Sequence, residues 1–144
     1  DDGHPSRAAA RRSIANLKDW WSADLPGYII LSDIRSSAGR RLITDLQRQL
    51  PHLKKAFEHL VPPRAANRDV HVIRIFEEPE HYRAYVGETH AWSVGIWDPG
   101  RRELVILFRG ENRAAETMSM IFHEGFHQYL HYAYEMKEAP VWFN

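Results

Sequence analysis

Residues 103–130, ELVILFRGENRAAETMSMIFHEGFHQYL, decide how the rest of the chain is organised. Glu103 to Phe108 is an apolar, β-branched run that suits a strand. Gly110 and Asn112 punctuate it, and from about Arg113 to Glu135 a helical pattern takes over. Inside that helix lies His123-Glu124-Gly125-Phe126-His127. Histidines four residues apart share one helical face a single turn apart, so their nitrogens can converge on one divalent ion. Glu124 sits about 100° further round the helix than His123, beside such an ion and outside its inner ring of ligands. A carboxylate placed there can take a proton from a water and later pass it to a leaving amine. The plainer alternative makes His123 and His127 partly buried polar residues of an amphipathic helix, with Glu124 a solvated charge.

Working upstream, the strand at 103–108 pairs naturally with Ala91 to Trp97 across Asp98-Pro99-Gly100-Arg101. Pro followed by Gly predicts a type II turn there, because Pro presets the first central position and Gly supplies positive φ at the second. Pro79 opens a short helix through Tyr85 that Gly87 stops. Val70 to Phe76 carries apolar side chains on both alternating sets, which predicts a strand covered on both faces. A long helix precedes it, capped by Ser36 or Ser37, with Leu42, Leu46, Leu50, Leu53, Phe57 and Leu60 on one face. Pro51 is expected to interrupt that helix, and Pro62-Pro63 to end it. Tyr28 to Leu31 reads as a strand after Leu25-Pro26-Gly27, and residues 8–20 as a weak helix ending near Trp20-Trp21. Strands interleave irregularly with helices, so the class is α+β. The organisation is a helical lead-in over 1–27 and one domain over 28–144.

With 144 residues, 44% hydrophobic and 26% charged, the chain has the balance of a folded domain and is long enough for a sizeable core. Nineteen Lys and Arg offset nineteen Asp and Glu, and the basic pairs are scattered, which argues against a nucleic-acid surface. No apolar run approaches the roughly eighteen residues of a membrane span, so no transmembrane segment is expected. The absence of cysteine removes disulfides, thiolate metal sites and thiol nucleophiles. Asp1-Asp2-Gly3-His4-Pro5 has neither the basic nor the apolar part of a signal peptide, and if a leader was removed the expected location is secreted or extracytoplasmic. Nothing in the residues signals an oligomeric state.

From about Tyr28 onward the chain resembles the gluzincin branch of zinc metallopeptidases, the thermolysin-like or peptidase MA-like clan. The resemblance rests on the order of strand, long helix, strand, hairpin and H-E-x-x-H helix, followed by Ala139-Pro140-Val141-Trp142-Phe143-Asn144. It implies a zincin-like fold with a mixed sheet, Zn2+ held by His123 and His127, and Glu124 as general base and then acid. It implies a peptide or protein substrate, bound antiparallel along the outer strand of the sheet. The strand matching in order is Glu103, Leu104, Val105, Ile106, Leu107 and Phe108, which also reads as an ordinary sheet edge. A Pro-x-Trp segment in such proteins leads into Glu-Gly, whose Glu is the third ligand, and that Glu is expected just beyond Asn144.

Within the chain, His131 and Glu135 extend the same helix about 6 and 12 Å along its axis from His127, too far for a compact site, and Glu138 lies past the helix end. The H-E-x-x-H-x-x-G-x-x-H branch is excluded by Leu130 and Ala133. Two rival functions are a noncatalytic zincin-like binding or scaffold module and a nonpeptidase metal hydrolase. Trp92, Trp97 and Trp142 are candidates to line a subsite or simply the core. His52, His59, His71, His81 and His90 have no partner at ligand spacing, and Ser36 and Ser37 read as helix caps and not nucleophiles. Gly125 either admits a close neighbour or is merely tolerated at a cost of about 1 kcal/mol relative to Ala.

Overall fold

The computed structural model describes residues 5–62 and 70–134. Five strands form one mixed sheet in the order β1-β2-β3-β5-β4. They are β1 (Trp21–Leu25), β2 (Tyr28–Ser32), β3 (His71–Phe76), β4 (Gly95–Asp98) and β5 (Glu103–Leu107). β2, β3 and β5 run parallel, while β1 and β4 lie antiparallel on the two edges. Every residue of β2, β3 and β5 is buried, as their continuous apolar runs require of strands covered on both faces.

The covering helices are α1 (Pro5–Ile14), α2 (Ser37–Leu60), α3 (Pro79–Val86) and α4 (Ala114–Tyr134). On one face α2 and α4 bury Tyr28, Ile30, Ile73, Ile75, Leu104 and Ile106 under Leu42, Ile43, Leu46, Leu50 and Ile121. On the other, α1 places Ala10 and Ile14 against Ile29, Leu31 and Val72, and α3 places Tyr82 against Phe76, Val105 and Leu107. The class is therefore α+β with a mixed five-stranded sheet, as the sequence indicates. Among the described residues no helix is long and apolar enough to cross a membrane.

Several local expectations need correction. The predicted helix over 8–20 ends at Ile14, and Trp21 begins a strand in register with Ser32. Asp19, at φ 69°, turns the chain there, and Trp21 Nε1 donates to the Ile34 carbonyl at 3.0 Å. The lead-in thus supplies an edge strand of the same sheet, its Asp24 paired with Arg7 and Arg11. α2 runs through Pro51 without interruption, because one missing donor is outweighed by apolar anchors on both sides, Leu46 and Leu50 before it and Phe57 after. Leu60 is exposed and takes no part in that face. Of the two candidate caps Ser36 is the one used, its hydroxyl accepting from the Gly39 amide at 3.0 Å.

The type II pattern expected at Pro99-Gly100 is also displaced. Leu25 pairs with Tyr28, so Pro26-Gly27 forms the tight turn, with Gly27 at φ 79°. In the second hairpin Asp98 pairs with Glu103, leaving a four-residue connection in which Arg102, at φ 58°, is the left-handed residue. Asp98 Oδ1 accepts from the Arg101 amide at 3.1 Å and holds the connection closed.

Candidate metal centre

α4 is set by what its inward positions touch. Ile121 is fully buried on the sheet face shared with α2. Phe126, Tyr129 and Leu130 pack on Phe57 near the end of α2, and Tyr129 donates its hydroxyl to the Val61 carbonyl at 2.6 Å. Gln128, fully buried, donates through Nε2 to the Val72 carbonyl of β3 at 3.0 Å. With those positions turned inward, His123, Glu124 and His127 occupy the remaining side, toward the β4 edge. The helix approaches closely at Gly95 of β4, where an added Cβ would lie 2.3 Å from Met120 Sδ and 3.0 Å from Ile106 Cδ1.

The three side chains converge. One ligating atom from each of His123, Glu124 and His127 lies within 4.8 Å of the others, the one such group of His, Asp and Glu among the described residues. The two imidazole centroids are 5.2 Å apart with planes inclined at 62°. His123 Nε2 is 3.9 Å from Glu124 Oε2. His123 is about half exposed, with 49% of its side chain accessible, whereas Glu124 retains 21%, so the cluster opens outward over a partly desolvated carboxylate.

Burial dominates the electrostatics of the pair that lies deeper. Glu124 is raised above the usual carboxylate range by desolvation, partly offset by His123 and by a hydrogen bond to the carboxylate from the Trp97 backbone. That bond ties the carboxylate to the edge strand. His127 is lowered, first by burial and then by the neighbouring His123, which favours the neutral imidazole that coordination needs. Two imidazoles beside a carboxylate suit zinc by donor chemistry, and their spacing suits a single small ion. No family model matches the chain, and neither a curated protein nor a solved structure matches it.

The predicted substrate strand does not have the position assigned to it. Glu103 to Leu107 lies between β3 and β4, with no free edge, and the outer strand beside the cluster is Gly95–Asp98. Leu104, Ile106 and Phe108 are core residues beneath α2 and α4, and Val105 and Leu107 are core residues beneath α3. Glu103 is engaged on that second face. Its carboxylate accepts from Arg74 Nε at 2.9 Å, from Arg74 Nη2 at 3.1 Å and from the Tyr85 hydroxyl at 2.7 Å. Chain order alone does not say which strand of a hairpin lies outside. Burial does: every residue of β5 is buried, as an interior strand requires, and Gly95-Ile96-Trp97-Asp98 is only partly buried, as at an edge.

The remaining candidates separate clearly. His131 packs against Trp97, with centroids 5.2 Å apart and planes inclined at 56°, and is not in the cluster. Trp92 is 83% exposed, whereas Trp97 faces α4. His52, His59, His81 and His90 are exposed, and His71 is buried. Among the described residues Gly125 has no close neighbour, since a Cβ there would meet Phe57 Cε2 at 4.0 Å. Glu135, Glu138, Pro140 and Trp142 lie outside the described residues.

Proposed function

We propose that this chain is a zincin-like domain of a zinc-dependent peptidase, of gluzincin type, hydrolysing peptide bonds with an activated water. The observation that carries this reading is the meeting of His123, Glu124 and His127, with Glu124 bonded to the backbone of the edge strand β4. His123 and His127 would hold the ion through neutral imidazoles. Bound zinc would supply Lewis acidity, making water nucleophilic near neutral pH and polarising the scissile carbonyl.

Glu124 accepts the water's proton and delivers it to the leaving nitrogen, and its burial supports this by moving its affinity for protons upward. The outer edge of β4, and not β5, offers an extended peptide its backbone beside the Trp97 amide that Glu124 engages, by strand addition. The resemblance implies a third protein ligand, a glutamate, besides the two imidazoles.

The test uses the protein and a set of unstructured peptides. Hydrolysis should vanish on chelation, return with Zn2+, and be abolished by Glu124→Gln while bound zinc is retained, since the amide accepts no proton but leaves both imidazoles in place. His127→Ala should lose both zinc and activity. Wild-type turnover by the Gln variant would remove Glu124 as the base. Zinc binding with no hydrolysis of any peptide would favour the noncatalytic binding module.

A further inference from the structure

Within the metal-centre reading, on which this inference rests, we infer that Gln128 is a positioning residue that sets the rotation of α4 and thereby aims His123 and His127. Gln128 follows His127 directly and is fully buried. Its Nε2 donates to the Val72 carbonyl at 3.0 Å, joining the metal-binding turn of α4 to the second residue of β3, an interior strand. Its Oε1 is buried and accepts no hydrogen bond among the described residues. A buried amide with one half unused is a poor device for stability, because the unmet acceptor costs about as much as the met donor returns. Methionine would fill the same volume without either charge separation or an unmet acceptor.

What the amide adds is direction. Apolar contacts of Phe126, Tyr129 and Leu130 with Phe57 tolerate sliding and rotation, whereas one hydrogen bond to a main-chain carbonyl fixes an angle. Each residue advances about 100° round the helix, so fixing Gln128 toward β3 also fixes His127 one step away and His123 one turn earlier. Tyr129, bonded to the Val61 carbonyl at 2.6 Å, is a second such tie, directed to α2. Together the two ties hold the helix against both sheet and neighbour, and metal sites lose affinity when their ligands drift by more than about 0.5 Å or 10–20°.

The test is a Co2+ titration of the full chain, followed by the visible d–d bands, beside urea unfolding. Wild type binding Co2+, with His123→Ala losing it, sustains the metal-centre reading whatever the Gln128 variants do. Gln128→Met should weaken Co2+ binding on the order of tenfold and alter band position or intensity, while the urea midpoint stays close to wild type. Gln128→Asn, whose amide is a methylene too short to reach Val72, should lower the urea midpoint through its unmet amide and weaken Co2+ binding by more than that lost stability accounts for, and it decides the matter should the Met variant fail to fold. Wild-type affinity and spectrum in a folded Gln128→Met or Gln128→Asn chain would overturn the inference, as would weakening that merely tracks lost stability. Absence of Co2+ binding by wild type would overturn both readings.

Discussion

Glu103→Gln removes one charge from an ion pair enclosed between α1, α3 and the sheet, and its consequence can be worked from the geometry. Arg74 keeps 3% of its side chain exposed and Glu103 keeps 12%, so neither charge is screened by water. The carboxylate receives two guanidinium bonds, at 2.9 and 3.1 Å, and the Tyr85 hydroxyl at 2.7 Å, while Arg74 Nη2 also donates to Ser13 Oγ at 2.9 Å. The neutral amide leaves the guanidinium buried and uncompensated, and presents its NH2 to donors already pointing inward. Breaking such a pair from one side costs about 3–5 kcal/mol. A domain of this size has roughly 5–15 kcal/mol in total, so the variant should be severely weakened, with Tm lowered by roughly 6–20 °C. Arg74→Met with Glu103→Leu should recover much of the loss, because no unpaired charge remains. Urea unfolding followed by tryptophan fluorescence measures each variant, with unchanged denaturant slope required for the comparison. Activity per folded molecule should be unaltered in Glu103→Gln. A loss below about 1 kcal/mol, or weakened peptide binding without lost stability, would refute the structural assignment and return Glu103 to the substrate strand.

Three further outcomes follow from single sites. His71 is buried and held down to about pKa 3, chiefly by desolvation and then by Lys54 and Arg102. It stays neutral in the native state while the unfolded chain protonates near 6.5, so its contribution is fully present above that pH and is lost as pH falls toward 3, by up to about 1.4 kcal/mol per unit. Acid unfolding should be flatter in His71→Gln, and equal slopes in the two proteins would count against it. Gly125→Ala should stabilise α4 by about 0.5–1 kcal/mol, since among the described residues a Cβ there meets nothing nearer than 4.0 Å; a fall in melting temperature would show an unrecognised neighbour. Gly95→Ala should cost about 1–3 kcal/mol and weaken metal binding, because its Cβ would press Met120 at 2.3 Å and drive β4 from α4; calorimetry showing both unchanged would exclude that approach as a determinant of the site.

Much of the candidate site could be seen in the sequence because its geometry is local. A helix turns about 100° per residue wherever it lies, so His123 and His127 are neighbours as soon as that segment is helical. Three strands were visible for a similar reason: Tyr28–Leu31, Val70–Phe76 and Glu103–Phe108 are apolar runs, although the last was expected on the outer edge and lies inside the sheet. Trp21–Leu25 was not visible as a strand, since Ala23 and Asp24 carry little β preference and its pairing comes from a turn at Pro26-Gly27 and a partner strand.

What the sequence by itself determined is therefore the α+β class, the strand segments at Tyr28, His71 and Glu103, the long α2 with its serine cap, and the meeting of two imidazoles and a carboxylate on one turn of α4. The tertiary structure alone decided which strand faces outward beside them, that Glu103 is spent on Arg74, and which α4 residues turn inward to hold the helix. Helical spacing depends on hydrogen bonds four residues apart. Edge position, charge pairing and helix rotation depend on partners such as Arg74 and Glu103 or Val72 and Gln128, which lie 29 and 56 positions apart and meet only when the sheet is assembled.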